Sequence, residues 1–137
     1  ALAWSKNAIT GPAGQKTYIT LRNLATAYEK LNRIPDADST MNEALLIATA
    51  NQYTAYGRIL IGQKRADKAV EVFKASQKRY GDMFGVNNGL MSGYSAKGDF
   101  KNAIKFAEKA MAQAPNDAAK KILEGQIAKL KEGKDIN

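Results

Sequence analysis

Two stretches of this chain carry the same pattern 34 residues apart. Ala69-Val70-Glu71-Val72-Phe73-Lys74-Ala75-Ser76 and Ala103-Ile104-Lys105-Phe106-Ala107-Glu108-Lys109-Ala110 are offset by 103 − 69 = 34, with small residues in the first and eighth places of each. A third copy runs from Ala37 to Ala44, offset from the next by 69 − 37 = 32, and a fourth from Ala1 to Ala8. Three of the copies follow a second apolar-periodic stretch: Tyr18 to Lys30, Asn51 to Gln63 and Phe84 to Lys97. Leu21, Leu24, Ala25 and Tyr28 in one, and Leu90, Met91 and Tyr94 in another, recur at helical spacing. A period of this length means that each unit buries its apolar face only by stacking on its neighbours. The abundance of alanine, lysine, leucine and glutamine, with only three prolines, favours helix over sheet.

The small residues have a packing reason. Antiparallel helices approach closely where one presents Ala or Gly to a bulky residue on the other, so Ala69 and Ala103 are expected to receive knobs from the preceding helix. Gly98 suits the left-handed position that ends a helix before a tight turn. Pro35 fits a first helical turn, and Pro115 a stop. Asp82, Asp99 and Asn116 are candidate N-caps.

These residues resemble the tetratricopeptide repeat family. In the last copy Asn87, Leu90, Tyr94, Gly98, Ala103, Ala110 and Pro115 stand at the signature places. The middle copy keeps Tyr56-Gly57, Leu60, Ala69 and Phe73, with Lys64 at the turn glycine and Gly81 at the closing proline. The first keeps Leu24-Ala25, Tyr28, Ala37 and Ala44, with Asn32 in the turn. The resemblance implies an all-α fold, a right-handed α–α superhelix of antiparallel helix pairs. One domain is expected over residues 1–131: a half repeat at 1–9, repeats at 18–49, 50–83 and 84–115, and a capping helix at 116–131. Tyr28 and Tyr94 are expected in the core, while Tyr53 and Tyr56 stay open.

The capping helix should place Ala119, Ile122, Leu123, Ile127 and Leu130 inward and Lys120, Lys121, Glu124 and Lys129 outward. The tail at 132–137 has no periodicity and is expected to fray. Residues 1–9 match the second helix of a pair whose first helix is missing, and Thr10 to Gly14 read as a loop. The chain is therefore expected to belong to a longer protein, with an apolar flank at Leu2 and Trp4. A second copy, giving a homodimer, or an upstream domain of the same polypeptide would cover that flank. The closing Leu130 to Asn137 is also similar to the C-terminal region of a bacterial protein family of unknown function, usually exported. In that family a separate domain precedes the repeats, which implies a periplasmic or secreted location.

Little in the sequence points to a reaction. Cysteine and histidine are both absent, which removes thiolate chemistry and the side chain best suited to proton transfer near neutral pH. Gly93 to Gly98 is one residue too long for a nucleophile elbow, and Asp99 stands where a phosphate loop needs lysine. Asp36, Asp38 and Glu43 read as acids near a helix start rather than a metal site. No catalytic residue, cofactor or metal is expected. The longest apolar run, Ala44 to Ala48, is far short of a membrane span. The net charge of +8 is carried largely by Lys64, Arg65, Lys68, Lys74, Lys78, Arg79, Lys101, Lys105 and Lys109. Glu71 and Glu108 interrupt them and no aromatic ladder accompanies them, so a solvated outer face is favoured over a nucleic-acid surface.

The resemblance implies instead a concave groove, lined by the first helices, that holds a protein or peptide. Its places fall on Arg22, Asn23 and Thr26, on Thr54 and Arg58, and on Asn88, Ser92 and Ser95. Relatives that clamp a C-terminal carboxylate use two lysines, two asparagines and an arginine. Here only Arg22 offers a cation at such a place, while Thr26, Ala55, Gly85 and Gly89 fill others, so that specialisation is not implied. Arg22 and Arg58 with their hydroxyl and amide neighbours point to an acidic or carboxylate-bearing peptide. The alternatives are arginines paired with Glu29 or other acids, and a polar helix face that touches only water. A different class of role, structural support for an upstream and perhaps enzymatic domain of the same polypeptide, also fits.

Overall fold

The computed structural model describes residues 16–137, and every regular element among them is helical. The half repeat with Leu2 and Trp4 and the loop from Thr10 to Gly14 lie outside the described residues. The helices are α1 (Tyr18–Lys30), α2 (Ile34–Leu45), α3 (Ala50–Gly62), α4 (Ala66–Tyr80), α5 (Phe84–Ala96), α6 (Phe100–Gln113) and α7 (Asp117–Lys131). They fall into two compact units, the first ending at Thr49 and the second running from Ala50 to Asn137.

In the first unit α1 packs on α2. Thr17 caps α1 by accepting the Thr20 amide at 3.1 Å, and Thr20 Oγ1 accepts the Thr17 amide in return. Leu21, Leu24, Ala25 and Tyr28 meet Ala37, Met41, Ala44 and Leu45 in the interior. Pro35 sits in the first turn of α2, and the Arg33 guanidinium lies 4.8 Å from the Tyr28 ring centre.

In the second unit α3 pairs with α4 and α5 with α6, while α4 also packs on α5, α6 on α7 and α3 on α5. Its centre is Phe73, wholly buried on α4. A Cβ added to Gly57 on α3 would fall 2.3 Å from the ring, and one on Gly89 of α5 would fall 2.5 Å from it. Gly93 leaves little more room, 3.0 Å from Val70 and 3.3 Å from Phe73. Three glycines on two helices thus let the backbones of α3 and α5 close around one benzyl group, the close approach that small residues permit. Tyr53 and Tyr56, open from sequence, are both buried, with Tyr53 edge-on to Tyr80 at 6.0 Å. Tyr94 stacks on Phe106 at 5.6 Å.

The helices α1, α3, α5 and α7 all end in the same way. The amides of Arg33, Arg65, Asp99 and Lys134 reach back to the carbonyls of Tyr28, Leu60, Tyr94 and Lys129 at 2.9, 2.9, 2.9 and 3.0 Å. The residue before each takes a left-handed conformation: Asn32 (φ 57°), Lys64 (φ 63°), Gly98 (φ 78°) and Gly133 (φ 71°). This cap satisfies carbonyls that the helix leaves open. Asparagine and glycine visit this region readily, whereas lysine carries a Cβ penalty of about 1–2 kcal/mol. Lys64→Gly is expected to stabilise the protein by a net ~0.5–1 kcal/mol once the extra freedom of glycine in the unfolded chain is subtracted. A higher urea midpoint with an unchanged slope would be the sign.

Three expectations need correction. Asp82 is not an N-cap: Met83 holds that place on α5 with no side-chain bond. The Asp82 carbonyl instead accepts from Gln113 Nε2 at 2.8 Å, and its carboxylate lies 3.8 Å from Lys109 Nζ. Asp99 and Asn116 do cap α6 and α7, and hydrogen bonds from the Asn102 side chain and amide hold the Asp99 carboxyl below its usual range. On α7 only Leu123 and Leu130 are buried, while Ile122 is 64% exposed. Those two leucines lie seven residues apart on one stripe, and Ile122 falls outside the strip that α6 covers. The tail, expected to fray, instead folds back onto α5.

Candidate functional site

On α5, Asn88, Ser92 and Ser95 are spaced four and three residues apart, which puts them on one stripe. Arg58 and Ile61 of α3 meet part of that stripe. Arg58, Ile61, Asn88 and Ser92, with Gln126 of α7 and Asn137, line a pocket of about 200 Å³. A neighbouring pocket of about 270 Å³ is lined by Ile61, Gly62, Lys64, Ala66, Ala96, Asp135 and Asn137. Asn137 lines both.

The tail therefore does not fray. Gly133 turns the chain back at the end of α7, and the residues after it dock on α5. Ser95 Oγ donates to Asp135 Oδ1 at 2.7 Å and accepts the Ile136 amide at 3.0 Å. Asn137 Nδ2 donates to the Ser92 carbonyl at 2.8 Å. Asp135 Oδ1 also accepts from the Asn137 amide at 3.1 Å and from Asn137 Nδ2 at 2.8 Å. Burial works against ionisation of this carboxyl, but the bonds from Ser95, Asn137 and Ile136 outweigh it and hold its pKa below the usual range.

Arg58 is exposed, and among the described residues no acid pairs with it. One turn earlier, Thr54 Oγ1 donates to the Ala50 carbonyl of its own helix at 3.1 Å. The remaining sequence-derived residues lie on α1 of the first unit. There Arg22 lies 3.5 Å from Glu29 Oε1, with both side chains 21% exposed. Thr26 Oγ1 donates to the Arg22 carbonyl at 2.9 Å, and Asn23 is exposed.

Several cations of the second helices have structural partners. Lys74 lies 5.7 Å from the Tyr94 ring centre, and Lys105 and Lys109 lie 5.6 and 5.3 Å from that of Phe106. Lys97 bonds Asp67 at 3.1 Å, and that hydrogen bond, with the charge behind it, raises the lysine pKa. Among the described residues no group of three or more acidic, histidine or cysteine side chains could hold a metal ion, and no helix is long and apolar enough to cross a membrane.

Sequence reasoning missed Gln126, Asp135 and Asn137. Its available signal was Gly133 just past a helix end, the place where a chain reverses. Of the known protein families, the one described as tetratricopeptide repeat matches residues 94–117, from the end of α5 through α6 to the start of α7. No curated protein and no solved structure matches the chain.

Proposed function

We propose that this chain is a tetratricopeptide-repeat protein, a protein-interaction helical module, as the family match over residues 94–117 and the all-helical fold support, and that its second unit binds an extended, carboxylate-bearing peptide along α3 and α5. The observation that carries this reading is Arg58. It is a fixed cation without a counter-ion among the described residues, at the rim of a pocket otherwise lined by amides, a hydroxyl and one isoleucine. A guanidinium so placed offers a planar fork that a carboxylate can take bidentately. Arg58 is exposed to solvent, so binding is weak and falls as salt rises. Arg22 already has Glu29 beside it, and its removal is expected to matter less. In a peptide-array screen, Arg58→Ala should weaken the acidic peptides about tenfold, the loss of one charge-assisted contact. Equal binding by parent and variant would sink the assignment.

A further inference from the structure

Residues 135–137 already do on this face what a bound peptide has to do. They lie against α5 and bond its Ser95 hydroxyl and its Ser92 carbonyl. The Ser95 hydroxyl has one proton to give and lone pairs to receive, so it suits a carboxylate followed directly by a backbone N–H. Both are supplied, by Asp135 and Ile136. One turn back along α5, the Ser92 carbonyl takes the carboxamide of Asn137. The aspartyl stem is short enough for the same Oδ1 to bond Asn137 as well, so the segment is pre-shaped by its own bonds.

We propose that this face recognises a segment bearing a carboxylate and, two residues later, a carboxamide, and that Asp135-Ile136-Asn137 fills it until a partner protein's segment of the same pattern displaces it. This deepens the reading above, since it names the ligand of the same face. Displacement is feasible because a few partly exposed hydrogen bonds are set against the ordering of three residues, costs and gains of similar size. Tethering favours the internal segment: a few residues from α7, it is present at an effective concentration of order millimolar. The partner's advantage is Arg58, which the internal segment leaves without a counter-ion. An acid placed just beyond the carboxamide adds a charged contact that residues 135–137 lack.

The probe is a labelled synthetic peptide of residues 131–137, titrated by fluorescence anisotropy into the full chain and into its Asp135→Ala, Asn137→Ala double variant. A segment docked in about nine molecules of ten lowers apparent affinity about tenfold, so the double variant should bind the peptide at least tenfold more tightly than the parent. The same peptide extended by two glutamates should bind tighter still, with the gain lost on Arg58→Ala. Ser95→Ala in the double variant should abolish binding while leaving the helical circular dichroism unchanged, alanine being the better helix former. Equal affinity for parent and double variant, no binding to the double variant, or binding that survives Ser95→Ala overturns the proposal. A readout without peptide guards against a misfolded variant: the Ser92 and Ser95 amide resonances must move between parent and double variant, and unchanged shifts also overturn it. If only this peptide fails while acidic array peptides still depend on Arg58, the broader reading stands. If the peptide binds and no array peptide depends on Arg58, the broader reading falls alone.

Discussion

Phe73→Ala is expected to lower the unfolding free energy by about 3–5 kcal/mol, the usual cost of deleting a fully buried benzyl group. The site has little means to relax. Gly57, Gly89 and Gly93 bring the backbones of α3 and α5 against the ring, and helix backbones do not slump into a void as side chains can. The same geometry predicts a coupled effect. Gly89→Ala alone should cost about 1–3 kcal/mol, because its new methyl would stand 2.5 Å from the ring where an ordinary contact is longer. In a Phe73→Ala background that penalty should largely vanish, and alanine's better helix propensity should show instead. Urea unfolding of the parent, both single variants and the double variant gives the coupling directly. Additive losses would mean that the ring is not what excludes the methyl.

Ala103→Leu is expected to cost about 1–3 kcal/mol through overpacking. Ala103 is wholly buried near the start of α6, as are Ala107 and Ala110 further along it. Three added carbons at that contact must push α6 away from a neighbour or force side chains off their rotamers. Thermal melting should show a clear loss, and a melt matching the parent would mean that the helix register is wrong.

The register itself was legible in the sequence. Ala37, Ala69 and Ala103, picked out by a 32- to 34-residue offset, are each at most 1% exposed. Periodicity reads such positions because burial on a helix repeats every turn. What periodicity cannot read is a bond between residues distant in the chain. Ser95 and Asp135 are 40 positions apart, and nothing local to either distinguishes a docked tail from a frayed one. Asp82 failed for a related reason. Its carbonyl and carboxylate are engaged by Gln113 and Lys109 at the far end of α6, so a residue with the chemistry of a cap serves α6 instead. The candidate site was half legible. Arg58, Asn88, Ser92 and Ser95 were placed by the family pattern, but that pattern describes helices and is silent on a segment laid across them. The glycines show the same limit. Gly89 stood in the family pattern at a place where carboxylate-clamping relatives carry a larger side chain, whereas the space a side chain would take there is occupied by Phe73.

The recurring helix end at Asn32, Lys64, Gly98 and Gly133 bears on how quickly the chain can organise. Each cap is closed by a hydrogen bond spanning five residues, so after Asn32, Lys64 and Gly98 the next helix is aimed before any distant contact exists. Loop closure on that scale carries little entropic cost, and topologies dominated by near-sequence contacts fold fast. Hairpins of this kind also open one at a time, with the least supported pair exchanging its amide hydrogens first. The face that binds lies on α3 and α5, the two helices whose glycines close on Phe73, so it belongs to the part of the second unit that opens last.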